Sequence, residues 1–242
     1  MNSHKHLKNI QFKDLIQEEF ENYLLVNKPP HLSSLEDRAK NKNLLSLARE
    51  LNEHYQICHR LDKETSGMVV FAKNPDAYRH FAIQLENREV KKVYHAVVHG
   101  LQKFVDFEAE EPLHTNSNKS RVDFKTGKPS LTLVSTLELF KKHSLLKCFP
   151  VTGRMHQIRA HLTYHKAPLI SDPQYGGDPC FLSELKRNFN QKKWEEKKPM
   201  IERVALHSHQ VAFRDLDGKI IEAEAPYPKD FSVLLKLLRK FK

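Results

Sequence analysis

The sequence predicts an α+β fold built around a largely antiparallel sheet. Short apolar or alternating runs, which are typical of strands, outnumber the stretches with helical periodicity. Most of the strand-like runs follow one another directly along the chain, which favours antiparallel pairing. The 242 residues are enough for one large domain or two intimate halves with a substantial core.

The predicted strands are short and end at turn residues. The first is an apolar run stopped by Lys28-Pro29-Pro30, and the last two are joined by Asp217-Gly218, which is a hairpin signal. By apolar content or alternation, strands are predicted over residues 23–26, 68–72, 92–99, 131–140, 145–151, 206–214 and 219–225.

Four helices are predicted from periodicity and from their end signals. Asn43 is a good N-cap for a helix over residues 44–54, and Pro75 suits the first turn of a second helix. Residues 155–165 and 230–241 also have helical spacing, and the last segment carries an apolar stripe.

The composition describes a globular chain with a basic surface. Hydrophobic residues make up 39% and the net charge is +10, so a polyanion such as nucleic acid is the expected partner. No apolar run is long enough to span a bilayer, and no secretory signal is visible. The three cysteines form no CxxC pair, which suits a reducing compartment. We therefore expect a cytoplasmic protein.

A polar insertion around residues 183–199 mixes cations with aromatic rings. It contains Lys186, Arg187, Lys192, Lys193, Lys197 and Lys198 around Phe189 and Trp194. Such a mixture can bind phosphates and stack on bases. Alternatively, the insertion is a solvated segment whose aromatic residues pack back onto the core.

One loop motif carries a carboxylate in a position suited to chemistry. It reads His59-Arg60-Leu61-Asp62-Lys63-Glu64-Thr65-Ser66-Gly67. A carboxylate on a tight loop that ends in glycine at a strand is well placed to meet a ligand. A lone aspartate in a loop more often only caps a turn.

Four further segments of the chain form a set with this motif. They are Asn27-Lys28-Pro29, Lys92-Val93-Tyr94-His95-Ala96-Val97-Val98-His99-Gly100, Thr152-Gly153-Arg154-Met155-His156-Gln157-Ile158-Arg159-Ala160-His161-Leu162 and Ala205-Leu206-His207. Together the five segments resemble the RluA-type family of RNA pseudouridine synthases, over about residues 23–213. The resemblance implies a mixed, mostly antiparallel central sheet flanked by helices and loops, with an active-site cleft in the middle.

The resemblance implies an enzyme that isomerises uridine in structured RNA to pseudouridine. Asp62 takes the position of the catalytic carboxylate, Arg159 that of the arginine paired with it, and Tyr94 that of the tyrosine against the uracil. The sequence leaves open whether Asp62 attacks the sugar, attacks the base or removes a sugar proton. Taken alone, Arg159 is a surface arginine and Tyr94 a half-buried strand residue.

The resemblance also implies substrate-binding residues. Arg60 matches the residue proposed to fill the space that a flipped uracil leaves in the RNA stack; a loop ion pair is its alternative role. Ile170 matches an aliphatic pocket residue, although an ordinary core position is its alternative. The matched motifs add His59, Thr65, Arg154, His156 and Gln157 to the set.

The chain departs from the family pattern near Ile170. The family usually has Gly before the Pro-Ile pair and Gly-Asp after it, whereas this chain has Ala167 and Ser171 in place of the glycines. Both replacements change the backbone freedom next to the pocket. They leave the matched catalytic positions intact.

We expect an N-terminal extension over residues 1–20 and one catalytic domain over 21–242 that contains the insertion. A separate N-terminal RNA-binding domain, which many relatives carry, is not expected, because too few residues precede the first strand. The expected partner is ribosomal or transfer RNA. We expect no cofactor, metal, membrane or obligatory protein partner, and a monomer.

Other reaction classes lack their motifs. Pro179-Cys180 lacks the second cysteine of a zinc deaminase, and His161 and His165 lack the glutamate of a zinc protease. No phosphate-binding loop or nucleophile elbow is present, and Asp62 with Glu64 does not establish a glycosidase pair. The remaining alternative is a non-catalytic RNA-binding or RNA-folding module.

Overall fold

The computed structural model describes residues 9–36, 42–186 and 198–242. The chain divides into two compact units. The first unit takes the described residues of Met1–Val93 and His207–Tyr227, and the second takes those of Tyr94–Leu206 and Pro228–Lys242.

Strands dominate both units. In chain order they are β1 (Ile16–Glu19), β2 (Tyr23–Lys28), β3 (Gln56–Ile57), β4 (Ser66–Ala72), β5 (Lys91–His99), β6 (Phe107–Ala109), β7 (Leu113–Thr115), β8 (Ser120–Val122), β9 (Thr132–Leu139), β10 (His143–Pro150), β11 (Leu206–Arg214) and β12 (Ile220–Glu224). The α-helices are α1 (Leu44–Leu51), α2 (Pro75–Glu86), α3 (Gln157–Tyr164), α4 (Leu182–Leu185) and α5 (Lys229–Lys240).

The first unit is a mixed sheet covered by α2. Strand β2 pairs antiparallel with β1 and β4, β4 pairs parallel with β11, and β11 pairs antiparallel with β12. Every residue of β4 is buried. Tyr23, Phe81 and Phe213 meet edge to face or tilted in the core, with ring centroids 4.9–6.2 Å apart. Burial of these large rings is a main stabilising contribution of this unit.

The two helices of the first unit begin where the sequence predicts. The Asn43 side chain accepts the Ser46 N–H at 2.9 Å, and the Ser46 hydroxyl accepts the Asn43 N–H at 3.0 Å, forming a capping box. The Asn74 side chain accepts the Ala77 N–H at 2.9 Å, and Pro75 occupies the first turn. The predicted helix starts at 44 and 75 are therefore confirmed.

The second unit contains an antiparallel sheet in the order β5-β10-β9-β6 and a separate hairpin, β7-β8. Helix α5 is held at its first turn by an ion pair. Arg203 is 1% exposed and donates from Nε to Asp230 Oδ2 at 2.7 Å and from Nη2 to Oδ1 at 3.1 Å. At its other end, Arg239 pairs with Glu138 of β9 at 3.0 Å. Both ends of α5 are thus fixed to the unit.

The predicted α+β class with mostly antiparallel pairing is confirmed, and each predicted strand and helix is present with ends shifted by a few residues. The sequence did not predict β1, β3, β6, β7, β8 or α4. These elements have two to four residues each, too short for a periodic pattern to stand out. Of the predicted basic insertion, residues 187–197 lie outside the described residues.

The three cysteines are free; Cys148 and Cys180 are buried and Cys58 is half-buried. Among the described residues, no helix is long and apolar enough to cross a membrane.

Gly67 permits the parallel contact between β4 and β11. Its φ is +113°, and an added Cβ would lie 2.1 Å from the carbonyl oxygen of Ser208. We predict that Gly67→Ala lowers the free energy of unfolding by about 3 kcal/mol or more, since the backbone conformation and the overlap both oppose a side chain. Urea unfolding followed by circular dichroism measures the change.

Gly218→Ala is the matched control, because Gly218 also has a positive φ (+81°) but nothing within 4 Å of an added Cβ. Its expected loss is about 1 kcal/mol, which is the conformational cost alone. Equal losses in the two variants would contradict the role of the close contact.

Candidate active site

The loop that carries Asp62 joins β3 to β4 in the first unit, and its backbone is tied on both sides of the carboxylate. The Leu61 N–H donates to Ser34 Oγ at 3.0 Å, and this hydroxyl donates back to the Leu61 carbonyl at 2.8 Å. The Thr65 N–H donates to the Asp62 carbonyl at 3.0 Å and closes a turn. Leu61 and Thr65 are buried while Asp62 is partly exposed, so the carboxyl group is presented from a fixed backbone.

A fully buried lysine supports the same loop. Lys28 Nζ donates to the carbonyls of Pro29 at 3.0 Å, Leu32 at 2.9 Å and Lys63 at 3.2 Å. A buried ammonium group is costly unless its donors are satisfied, and these carbonyls satisfy them. The bond to Lys63 ties the residue after Asp62 to the end of β2. The Asn27-Lys28-Pro29 segment therefore has a structural role, which is to hold the Asp62 loop.

The end of the loop is held by the histidine of the Leu-His segment. The Ser66 hydroxyl lies 2.9 Å from His207 Nδ1, and His207 Nε2 lies 3.1 Å from the Ala225 carbonyl. A carbonyl only accepts, so in the neutral ring Nε2 carries the proton and the Ser66 hydroxyl donates to Nδ1. The two outer motifs of the sequence, near residues 28 and 207, therefore both support the Asp62 loop.

His59 supports β4 as a neutral ring. Its Nε2 lies 3.2 Å from the Val70 backbone nitrogen, which donates, and its ring stacks on Phe81 with centroids 6.0 Å apart. Burial, and to a smaller extent the charge of Lys92, lowers the pKa of His59 to about 3. The ring must be neutral at Nε2 to accept the Val70 bond. A substrate-binding role for His59 stays a prediction.

Arg60 and Thr65, which lie in the same loop, differ in exposure. Arg60 is exposed, whereas Thr65 is only 2% exposed. Among the described residues no carboxylate forms an ion pair with Arg60, and both its role in filling the vacated stack and its alternative role as a loop ion pair stay predictions.

Tyr94 lies in β5 of the second unit, directly opposite Cys148 of β10. It is 8% exposed, so it is more buried than the half-buried strand residue that propensity alone indicates. Its role against the uracil stays a prediction.

Arg159 is a buried residue of α3 with an extensive set of partners in the second unit. Its Nε donates to Asp172 Oδ2 at 2.7 Å, and its Nη2 donates to Asp172 Oδ1 at 2.8 Å and to Gln174 Oε1 at 3.0 Å. The guanidinium carbon lies 4.7 Å from the centre of the Tyr175 ring. Arg159 is 6% exposed, so the alternative of a surface arginine is wrong. Its pairing with Asp62 stays a prediction.

Gln157 organises the turn before α3. Its Oε1 accepts from the Thr152 hydroxyl at 2.7 Å and from the Arg154 N–H at 3.0 Å. Its Nε2 donates to the Leu131 carbonyl and to Thr132 Oγ1, both at 2.9 Å. Each hydrogen-bonding group of the side chain is therefore engaged by the protein.

The neighbours of Gln157 differ in exposure. Arg154 is exposed and donates to the Pro129 carbonyl at 3.3 Å. His156 is half-buried, has a left-handed backbone with a φ of 51°, and places Nδ1 3.2 Å from the Tyr175 hydroxyl. Arg154 is thus the more accessible of the two predicted substrate-binding residues.

Ile170 is fully buried, and its backbone is hydrogen-bonded to β5 and to Ala205. Its N–H donates to the Val97 carbonyl at 2.9 Å, and its carbonyl accepts from Ala205 at 3.0 Å. Ser171 follows with a φ of 56°, the left-handed region that explains the glycine usual in the family. Its hydroxyl donates to the Ile201 carbonyl at 2.7 Å, which satisfies the polar group of the replacement.

The sequence did not identify Asp172, Gln174 and Tyr175 as site residues. In the sequence, Asp172 was noted only as the residue that follows Ser171, where the chain departs from the family pattern. The spacing between α3 and the 3₁₀ turn Pro173–Tyr175 carries no periodic signal, so the ion pair could not be read from it.

The histidines with ligand-like spacing are engaged by protein groups. His161 Nδ1 lies 2.9 Å from Thr132 Oγ1, and its Nε2 lies 3.0 Å from the Glu111 carbonyl. His165 lies 2.9 Å from the Glu111 carboxylate. Within the ranges that the structure describes, no group of three histidine, cysteine or acidic side chains could hold a metal ion.

The family of the chain follows from a comparison with known proteins. Residues 22–164, more than half of the chain, match the family model for RNA pseudouridylate synthase. The chain belongs to this family, and the resemblance read from the sequence is confirmed.

The relatives extend the comparison over most of the chain. The chain is 35% identical over 240 residues to ribosomal large subunit pseudouridine synthase D of Neisseria meningitidis serogroup B, a match that covers 93% of this chain and 61% of the relative. It is 31% identical over 238 residues to ribosomal large subunit pseudouridine synthase C of Buchnera aphidicola subsp. Baizongia pistaciae. This match covers 95% of this chain and 72% of the relative. The chain thus spans about 61% of the length of the first of these relatives.

A solved structure shares the fold. Human RNA pseudouridylate synthase domain containing 4 has a TM-score of 0.71 with this chain at 21% identity, and the match covers 94% of this chain and 95% of that one.

The neutral state of the half-buried His59 predicts a pH dependence of stability. An unfolded histidine binds a proton below about pH 6.5, whereas burial delays protonation of folded His59 to about pH 3. The unfolded state therefore binds more protons between these values, and stability falls as the pH falls through this window. In His59→Gln, the stability lost between pH 7 and pH 5 should be smaller by about 1 kcal/mol than in the wild type.

Urea unfolding at both pH values measures this difference. His143, whose pKa is lowered by burial to about 4, contributes in the same direction, so some dependence should remain in the variant. An unchanged pH dependence in His59→Gln would contradict the assignment.

Proposed function

We propose that the protein isomerises specific uridines of structured RNA to pseudouridine, with Asp62 as the catalytic carboxylate. The observation that carries the proposal is the Asp62 loop, which holds a partly exposed carboxylate on a backbone tied at Leu61, Lys63 and Thr65. Family membership supplies the reaction class.

The reaction is a rearrangement in which atoms and electrons balance within the substrate. The bond between uracil N1 and ribose C1′ breaks, the base turns, and C1′ bonds to C5. The C5 hydrogen leaves as a proton, and N1 gains one. No oxidant, reductant or added group is required, so the proposal includes no cofactor.

Three residues have roles in the proposal. Asp62 acts as a nucleophile or base, or stabilises positive charge that develops at C1′. Arg159 takes the role of the arginine that the resemblance matches to the catalytic carboxylate. Tyr94 offers a ring face to the uracil and a phenol that can move the C5 proton.

The target uridine has to leave its stack before a carboxylate can reach its glycosidic bond. Arg60 is exposed beside Asp62, and its flat cationic head can occupy the space that the base vacates. Arg154, also exposed, is suited to a phosphate or base edge of the same RNA.

Ribosomal RNA is the proposed substrate. The relatives from Neisseria and Buchnera are named for the large ribosomal subunit, which favours ribosomal over transfer RNA. The net charge of +10 supports binding to a polyanion. The protein acts in this proposal as a monomer in the cytoplasm, without an obligatory protein partner.

We predict that the protein releases tritium from RNA labelled at uridine C5, and that Asp62→Asn lowers the rate by about 10³-fold or more, a loss of about 4 kcal/mol of transition-state stabilisation. Glu64→Gln is the matched control, because it neutralises a carboxylate of the same loop that has no proposed role. A wild type that binds RNA without releasing tritium would instead support the non-catalytic RNA-binding module.

Arg60→Ala should affect folded RNA more than unstructured RNA. Base extrusion costs a few kcal/mol only where a stack exists, so we expect a loss of about tenfold on a folded substrate and under about threefold on an unstructured oligonucleotide. Lys63→Ala removes a neighbouring exposed charge and serves as the control. Tritium release on the two substrates measures both effects, and equal losses would exclude the stacking role.

A further inference from the structure

Asp172, Gln174 and Tyr175 surround the Arg159 guanidinium and are called the 172–175 clamp below. We propose that the 172–175 clamp is a positioning device that fixes the orientation of this guanidinium for the isomerisation, with Asp172 as its main positioning residue. The inference rests on the proposed catalytic role of Arg159.

The geometry of the clamp fixes the plane of the guanidinium and covers one of its faces. Its bonds to Asp172 at 2.7 and 2.8 Å are a bidentate pair, which fixes the plane and the in-plane rotation of the group. The Gln174 bond at 3.0 Å also uses Nη2, and the Tyr175 ring lies against one face. Since these bonds use Nε and Nη2, they set the direction in which Nη1 points.

The burial of the pair gives this arrangement its electrostatic strength. The Asp172 side chain is fully buried and that of Arg159 is 7% exposed. Apolar side chains of similar volume often replace a buried ion pair without loss of stability, so packing alone does not require one here. A fixed cation beside a reacting group requires an oriented counter-charge, which Asp172 supplies.

The clamp is itself held by the β7-β8 hairpin. Gln174 Nε2 donates to the Asn118 carbonyl at 2.8 Å, and Lys119 Nζ donates to the Gln174 carbonyl at 2.6 Å. The Tyr175 hydroxyl accepts from the Ser120 N–H and donates to its carbonyl, both at 2.9 Å. The 172–175 clamp is thus bonded to the hairpin as well as to Arg159, which preorganises it before substrate binds.

Asp172→Asn tests the proposal, because it keeps the volume but replaces one acceptor oxygen by an amide that donates. On a transcript of large ribosomal subunit RNA labelled at uridine C5, we expect kcat to fall by about 10–100-fold, with KM changed by less than about threefold. The 15N–1H signal of Arg159 Nε, observed by NMR in the RNA-free protein, should shift and exchange faster with solvent. Asp178→Asn, an exposed position on the same segment, is the control and should change neither.

Gln174 provides a second test that does not depend on a buried substitution, because this side chain is exposed. Gln174→Ala should lower kcat by about threefold or more at constant KM, and Gln174→Glu, which keeps an acceptor for Arg159 but loses the donor to the Asn118 carbonyl, should restore only part of it. If Asp172→Asn fails to fold, these two variants decide.

The failures of the two proposals can be told apart. An inactive wild type would overturn the proposed function and with it the catalytic purpose of the clamp, whereas the NMR signal would still report the Arg159–Asp172 pair. An active wild type with unchanged kcat in folded Asp172→Asn, or with a change in KM alone, would overturn the clamp and leave the proposed function standing.

Discussion

The structure around Asp62 depends on one constraint, which is that each polar group buried beneath the loop must find a partner. Lys28 meets it with three carbonyls, and the Ser34 hydroxyl both accepts from and donates to Leu61. Because an unsatisfied buried donor costs more than a made bond gains, these contacts specify one loop conformation. These contacts therefore set the position of the partly exposed Asp62 carboxylate.

The same constraint shapes the second unit, where the buried groups form ion pairs. Arg159 and Arg203 are both buried, and each is matched by an aspartate through two bonds, Asp172 for the first and Asp230 for the second. The Arg203 pair fixes α5, whereas the Arg159 pair lies among matched motif residues. Two similar ion pairs thus have different expected consequences, one for stability and one for the orientation of a functional group.

Much of the local structure could be predicted because its signals are local. Asn43 and Asn74 cap their helices through bonds to residues three positions away, and the apolar run of β4 is buried throughout. The Asp62 motif stood out for the same reason. What escaped prediction is formed between distant segments: the Arg159–Asp172 pair, the neutral state of His59, and the short strands β6 to β8 whose pairing is set by the rest of their unit.

Pairing between β4 and β11 joins Ser66 to His207 and Gly67 to Ser208, segments that are about 140 positions apart in the chain. Contacts of such long range form late, since the intervening chain must first be brought together. During synthesis the Asp62 loop can therefore reach its final geometry only after His207 has left the ribosome. A nascent chain that ends before His207 would carry every predicted catalytic side chain and still lack a completed loop.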